Sequence, residues 1–153
     1  MIEKVSGIDI SFRAGSEWHH KSGLVDILLR VIKEKICVRV IVNDEKTVEQ
    51  LSVHMRQPLK KYYGYNKSCQ DWLEKAESYP DIIHVRVADV PLMHRYYCIK
   101  GPENGLAKVS FYTYANYIPE KDFQYKLGRS EEEYELFGNE FEYLWNNVSH
   151  EIE

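Results

Sequence analysis

Ile8, Ile10 and Phe12 alternate with Asp9 and Ser11, and a period of two predicts an opening strand with its apolar residues on one face. Farther on, Leu24, Ile27, Leu28, Val31 and Ile32 recur at three- and four-residue steps. That spacing predicts a helix with one buried face, and Ser22 stands where an N-cap would. The next run, 36–42, reads Ile-Cys-Val-Arg-Val-Ile-Val. Near-continuous β-branched character of this kind suits a strand covered on both faces of a parallel sheet. A strand, helix and strand of these lengths fit a crossover between parallel strands. Asn43 and Asp44 end the second strand and can cap a helix over 46–55.

A further helix over 68–78 turns Trp72, Leu73 and Ala76 inward and stops before Tyr79-Pro80. Residues 82–88 alternate again, with Ile83, Val85 and Val87 opposite His84 and Arg86. A turn at Asp89-Val90-Pro91 leads into a strand over 92–100. Pro102-Glu103-Asn104-Gly105 is a strong turn signal and predicts a hairpin to a strand over 108–116. The last element is a helix. Ser130 and Glu133 have the spacing of a capping box, and Tyr134, Phe137, Phe141, Leu144 and Val148 line one side beside Trp145. The expected order is β-α-β-α-α-β-β-β-α. Residues 1–153 are read as one α/β domain, with a mixed, mostly parallel sheet, a late antiparallel hairpin and flanking helices.

Composition narrows the function classes. The formal net charge is -4, which gives no global attraction for nucleic acid or an anionic membrane. The longest apolar run, Leu24 to Ile32, contains Asp26 and Arg30 and is far too short to span a bilayer. Three cysteines (Cys37, Cys69 and Cys98) form no CxxC pair, so a reduced, cytoplasmic protein is expected. Twelve tyrosines against five phenylalanines are the compositional outlier. Such amphipathic rings suit cleft walls and half-wet interfaces, or the rim of a small core.

The chemistry gathers in Pro91-Leu92-Met93-His94-Arg95-Tyr96-Tyr97-Cys98-Ile99-Lys100-Gly101. Strand alternation puts His94, Tyr96, Cys98 and Lys100 on one face and Met93, Arg95, Tyr97 and Ile99 on the other. This strand, with the element order around it, resembles one half of the phospholipase D-like superfamily over about Ile8 to Trp145. The superfamily's strand carries His-x-Lys-x4-Asp, followed by a strand ending near an asparagine and a packing helix. By that resemblance His94 stands at the nucleophile that forms a phosphoenzyme, and Asn116 at the asparagine. Tyr96 stands where the lysine would be and Gly101 where the aspartate would be. The resemblance implies a site of two halves, brought together here by a homo-oligomer. It also implies a phosphoryl site stripped of its charged partners. Losing one group aimed at developing charge costs about 10²- to 10³-fold in rate.

Two other stretches carry weaker signals. His19-His20-Lys21 follows the first strand, where open α/β sheets place ligands, so His20 is a candidate pocket residue. Adjacent imidazoles on an extended chain diverge and no third ligand is evident, so no metal is expected. Residues 54–67 interleave Arg56, Lys60, Lys61 and Lys67 with Tyr62, Tyr63 and Tyr65. They could hold phosphates and bases, or connect two helices, and the acidic whole argues against nucleic acid. No dinucleotide, Walker-type, GxSxG or HExxH motif occurs, and no cofactor is expected.

Three readings follow. The first is a non-catalytic ligand-binding or dimerisation module on a phospholipase D-like half, as in the sensor part of a bacterial regulator. Its pocket would use His94, Tyr96, Tyr114, Asn116 and His20 for a small polar or phosphorylated ligand. The second is a phosphodiesterase or nuclease acting through His94 in a dimer, with His94 the only catalytic candidate. The third is a protein-interaction domain with a tyrosine-rich interface.

Overall fold

In the computed structural model, residues 4–13, 22–54, 65–111 and 124–152 are described. They form strands β1 (Gly7–Phe12), β2 (Cys37–Asn43), β3 (Ile83–Ala88), β4 (His94–Lys100), β5 (Gly105–Phe111), β6 (Gln124–Gly128) and β7 (Ser149–Glu151). The helices are α1 (Ser22–Glu34), α2 (Glu45–His54), α3 (Tyr65–Ser78) and α4 (Glu132–Asn147). All seven strands lie in one sheet, ordered β6-β5-β4-β1-β2-β3-β7.

The parallel part was expected from the apolar runs. β1 pairs with β2 and β2 with β3, aligning Ile8 with Val38 and Ile83, Ile10 with Val40 and Val85, and Phe12 with Val42 and Val87. These rows pack with Leu28 and Val31 of α1 and Trp72 of α3 into one core layer. The opposite face holds a second layer, in which Ile41, Ala88, Tyr96, Cys98, Ala107, Val109 and Leu127 meet Phe141 and Leu144 of α4. The sheet therefore has helices on both sides, and β4 lies at the seam between its parallel and antiparallel halves.

Several details differ from the sequence expectation. The sheet is mixed, as expected, but the balance lies the other way. Pairs β1–β4, β4–β5, β5–β6 and β3–β7 are antiparallel and outnumber the two parallel ones. The hairpin closes earlier than predicted, because the Gly101 N–H donates to the Asn104 carbonyl (2.7 Å) and pairing resumes at Gly105. β6 and β7 were not foreseen. β7 reads Ser-His-Glu and has no apolar alternation. It is held by Arg86, which donates to the Ser149 hydroxyl (2.9 Å) and carbonyl (2.7 Å). The Ser130–Glu133 capping box does not form either. Glu131 takes the N-cap position, and its carboxylate instead accepts the Gly128 N–H (2.6 Å), closing the turn from β6.

The link from α1 to β2 shows how local chemistry sets the crossover. Lys35 has φ 54, the left-handed region, and the Ile36 N–H donates back to the Val31 carbonyl (3.0 Å). This is a Schellman ending, and its usual apolar contact is present because Ile36 and Val31 share the first core layer. A lysine in that conformation carries backbone strain that glycine would not. We expect Lys35→Gly to raise stability by about 0.5–1 kcal/mol, read as a higher urea midpoint at unchanged slope.

Candidate functional site

β4 begins level with the end of β1, since Ser11 pairs with Tyr96, and its alternation follows the sequence expectation. His94, Tyr96, Cys98 and Lys100 face α4, while Tyr97 packs against the opposite core layer. The His94 ring is half-buried between Phe111, directly across on β5 (centroids 6.0 Å apart), and Phe137 of α4, met edge-on at 5.4 Å. Phe111 in turn meets Phe137 (6.0 Å) and Tyr125 of β6 (6.1 Å). Four of the described rings thus form one cluster, with Phe111 37% and Tyr125 48% exposed. Burial holds the His94 imidazole below its ordinary value of 6.5, while Glu140 on α4 pulls the other way.

Tyr96 shares the face but not the surface. It is 2% exposed, packs against Phe141 (5.7 Å), and its phenol is driven upward by burial and by Cys98. The Cys98 thiol donates to the Tyr134 hydroxyl (3.4 Å), whose proton is likewise held by burial and that hydrogen bond. Of the five expected pocket residues two are described: His94 is part of the aromatic cluster, and Tyr96 is in the core layer beneath α4. Tyr114, Asn116 and His20 lie outside the described residues, as does most of the basic stretch 54–67.

Among the described residues, Arg39 and Lys100 on this face are engaged beneath α4. Arg39 of β2 donates to both Asp9 oxygens (2.8 and 2.9 Å) and also reaches Glu142 of α4 (3.2 Å). Its guanidinium sits over the Phe141 and Trp145 rings, at 5.1 and 5.4 Å. Lys100 pairs with the same Asp9, which is buried. Burial opposes the Arg39 charge, but the hydrogen bonds to Asp9 and Glu142 outweigh it and raise its pKa. The bond from Arg39 in turn lowers that of Glu142. Sequence reading placed Lys100 on the correct face but missed this quartet. The available signal was a charged residue at one position of each apolar strand, Asp9 in β1 and Arg39 in β2, which register makes direct neighbours.

Beside the cluster, the β3–β4 connection is hydrogen-bonded to the carboxyl ends of β1 and β2. The Asn43 amide donates to the Val90 carbonyl (2.9 Å) and accepts from the Leu92 N–H (3.0 Å). Buried Arg13 donates to the Leu92 carbonyl. At Gly101, an added Cβ would stand 2.7 Å from the Asn104 carbonyl oxygen and 3.0 Å from that of Lys4. Backbone on both sides excludes a side chain where the resemblance would have an aspartate. Among the described residues, no group of three or more His, Cys, Asp or Glu is placed to hold a metal. None of the described helices is long and apolar enough to cross a membrane.

Two measurements check this geometry. Arg39→Met keeps an apolar body against Phe141 and Trp145 but leaves the buried Asp9 with Lys100 as its remaining charged partner. It should cost about 2 kcal/mol in chemical denaturation, and adding Asp9→Asn should recover part of that loss. For His94, the folded value lies below the unfolded one, so the unfolded chain takes the proton first. Its contribution is therefore complete above about pH 6.5 and falls as pH drops toward the folded value. NMR should show His94 titrating below 6.5. His94→Phe should remove that part of the pH dependence, and Glu140→Gln should lower the titration further.

No protein-family model matches this chain, and no curated protein matches it, so neither supplies a role for any of these residues.

Proposed function

We propose that this chain is a non-catalytic binding module of phospholipase D-like half architecture. Its recognition surface is the aromatic cluster of His94, Phe111, Tyr125 and Phe137 beside α4. The observation that carries this reading is the commitment of charge. Arg39 and Lys100 neutralise Asp9 under the helix, while His94 sits between two phenylalanines as a poorly basic ring. Phosphoryl transfer relies on fixed positive groups aimed at phosphate oxygens. Neither of those cations is held toward His94, and Gly101 has no room for a carboxylate to orient the imidazole.

A half-exposed group of rings with polar edges is the composition that recurs at binding surfaces. Aromatic side chains bury a large area there at little entropic cost. Tyr96, by contrast, contributes its body to the core and presents no hydroxyl to a ligand at the surface. The cytoplasmic, regulatory and ligand-sensing roles expected from the sequence belong to this same proposal, as does association with a second copy.

The test is hydrolysis of bis(p-nitrophenyl) phosphate by the purified chain, compared with His94→Ala. The expected result is no turnover that the substitution removes. Turnover lost in His94→Ala, with a phosphohistidine adduct visible by intact mass, would overturn the proposal in favour of a phosphodiesterase.

A further inference from the structure

The outer side of α4 carries a second kind of information. Leu136 is 62% and Tyr143 58% exposed, two turns apart on one stripe of the helix. Glu132 and Glu133 lie one turn before Leu136, and Glu140 lies between Leu136 and Tyr143. All three carboxylates are exposed. Helix-dipole electrostatics favour acids in the first turn, which accounts for Glu132 and Glu133. They do not account for Glu140 in mid-helix. Nor do they explain why α4 has no lysine or arginine anywhere, including the last turn, where a cation would be stabilising. Glu132, Glu133 and Glu140 form no ion pair among the described residues. Glu142, on the far flank, is the α4 carboxylate that does, with Arg39. The ridge adjoins the aromatic cluster, because Phe137 follows Leu136 in the chain and Glu140 acts on His94.

We propose that the ridge formed by Leu136 and Tyr143, rimmed by Glu132, Glu133 and Glu140, docks a basic amphipathic helical segment of a partner protein. This rests on the reading of the chain as a binding module and names the partner that the surface fits. Two large apolar side chains at i and i+7 are the anchor spacing of a helix seated against another helix. The unpaired carboxylates around them select a partner whose apolar stripe is flanked by lysine or arginine. The same charges disfavour a second copy on this ridge, because a two-fold pairing of α4 would oppose acid to acid.

The experiment uses the full chain and three synthetic helical peptides with one leucine stripe, flanked by lysine, glutamate or glutamine. Binding is followed by fluorescence anisotropy. The lysine peptide should bind tightest, the glutamine peptide more weakly, and the glutamate peptide not at all. Affinity for the lysine peptide should fall as salt rises from about 0.05 to 0.5 M, where screening shortens to a few ångströms. Leu136→Ser with Tyr143→Ser changes only exposed positions and should weaken that binding by about tenfold or more, with an unchanged thermal midpoint.

Equal binding of the lysine and glutamate peptides would overturn the basic partner while leaving a binding surface. Undiminished binding by the double variant would place that surface elsewhere and overturn the ridge. Absence of binding by all three peptides overturns the inference. So does a dimer, seen by sedimentation, that the double variant dissolves, since a second copy would then be the occupant. Failure of the underlying reading gives a different signature, His94-dependent phosphodiester hydrolysis.

Discussion

A half-buried guanidinium between a sheet and a helix needs partners from both, and Arg39 takes them in a way that ties α4 to the sheet. Asp9 accepts two of its N–H groups from the neighbouring strand, and Glu142 accepts from the helix above. Phe141 and Trp145 lie against its face. A second guanidinium, Arg86, stands 5.4 Å from the same Trp145 ring and binds Ser149 just beyond the helix. Sliding or rotating α4 would strand at least one of these charges in a poorly solvated layer. Such an arrangement adds little net stability over an apolar core, yet removing one partner from it is costly.

Once α4 is pinned along one flank, the other contacts follow from its periodicity. Phe141 and Leu144 enter the core layer, and Phe137 lands between His94 and Phe111. Leu136 and Tyr143, on the remaining side, have nowhere to go but outward. The aromatic cluster and the acidic ridge are thus two consequences of one electrostatic constraint. Lys100 lies on the face where a phosphate-binding lysine could serve, yet its charge is used against Asp9.

Strand parity, the parallel β1-β2-β3 core and the inward side of the last helix were legible because each depends on local periodicity. The placement of His94, Tyr96 and Cys98 on one face came from alternation alone and needed no knowledge of pairing. What was not legible depends on register. Asp9 and Arg39 are thirty residues apart and meet only because β1 and β2 align Asp9 with Arg39. Tyr96 was expected to line a pocket, but its depth is set by Phe141, a residue on another element. The capping box failed for a similar reason. Ser130 and Glu133 have suitable spacing, but the turn from β6 uses Glu131 and shifts the helix start past Ser130.

The carboxyl edge of a parallel sheet is where α/β proteins ordinarily receive ligands, because loops diverge there and leave a crevice. In this chain the edge beside β1 and β2 is spanned by residues 90–92, whose backbone groups satisfy Asn43 and Arg13. Protein backbone takes up hydrogen-bonding groups that a small polar ligand would need, and the asparagine is fully buried by it. Adjacent to it is the seam where β4 leaves the parallel half and its first residue, His94, meets the rings of β5 and α4. Residues 90–92 lead directly into that seam, so the segment whose backbone satisfies Asn43 and Arg13 also sets the first residue of β4 among the rings.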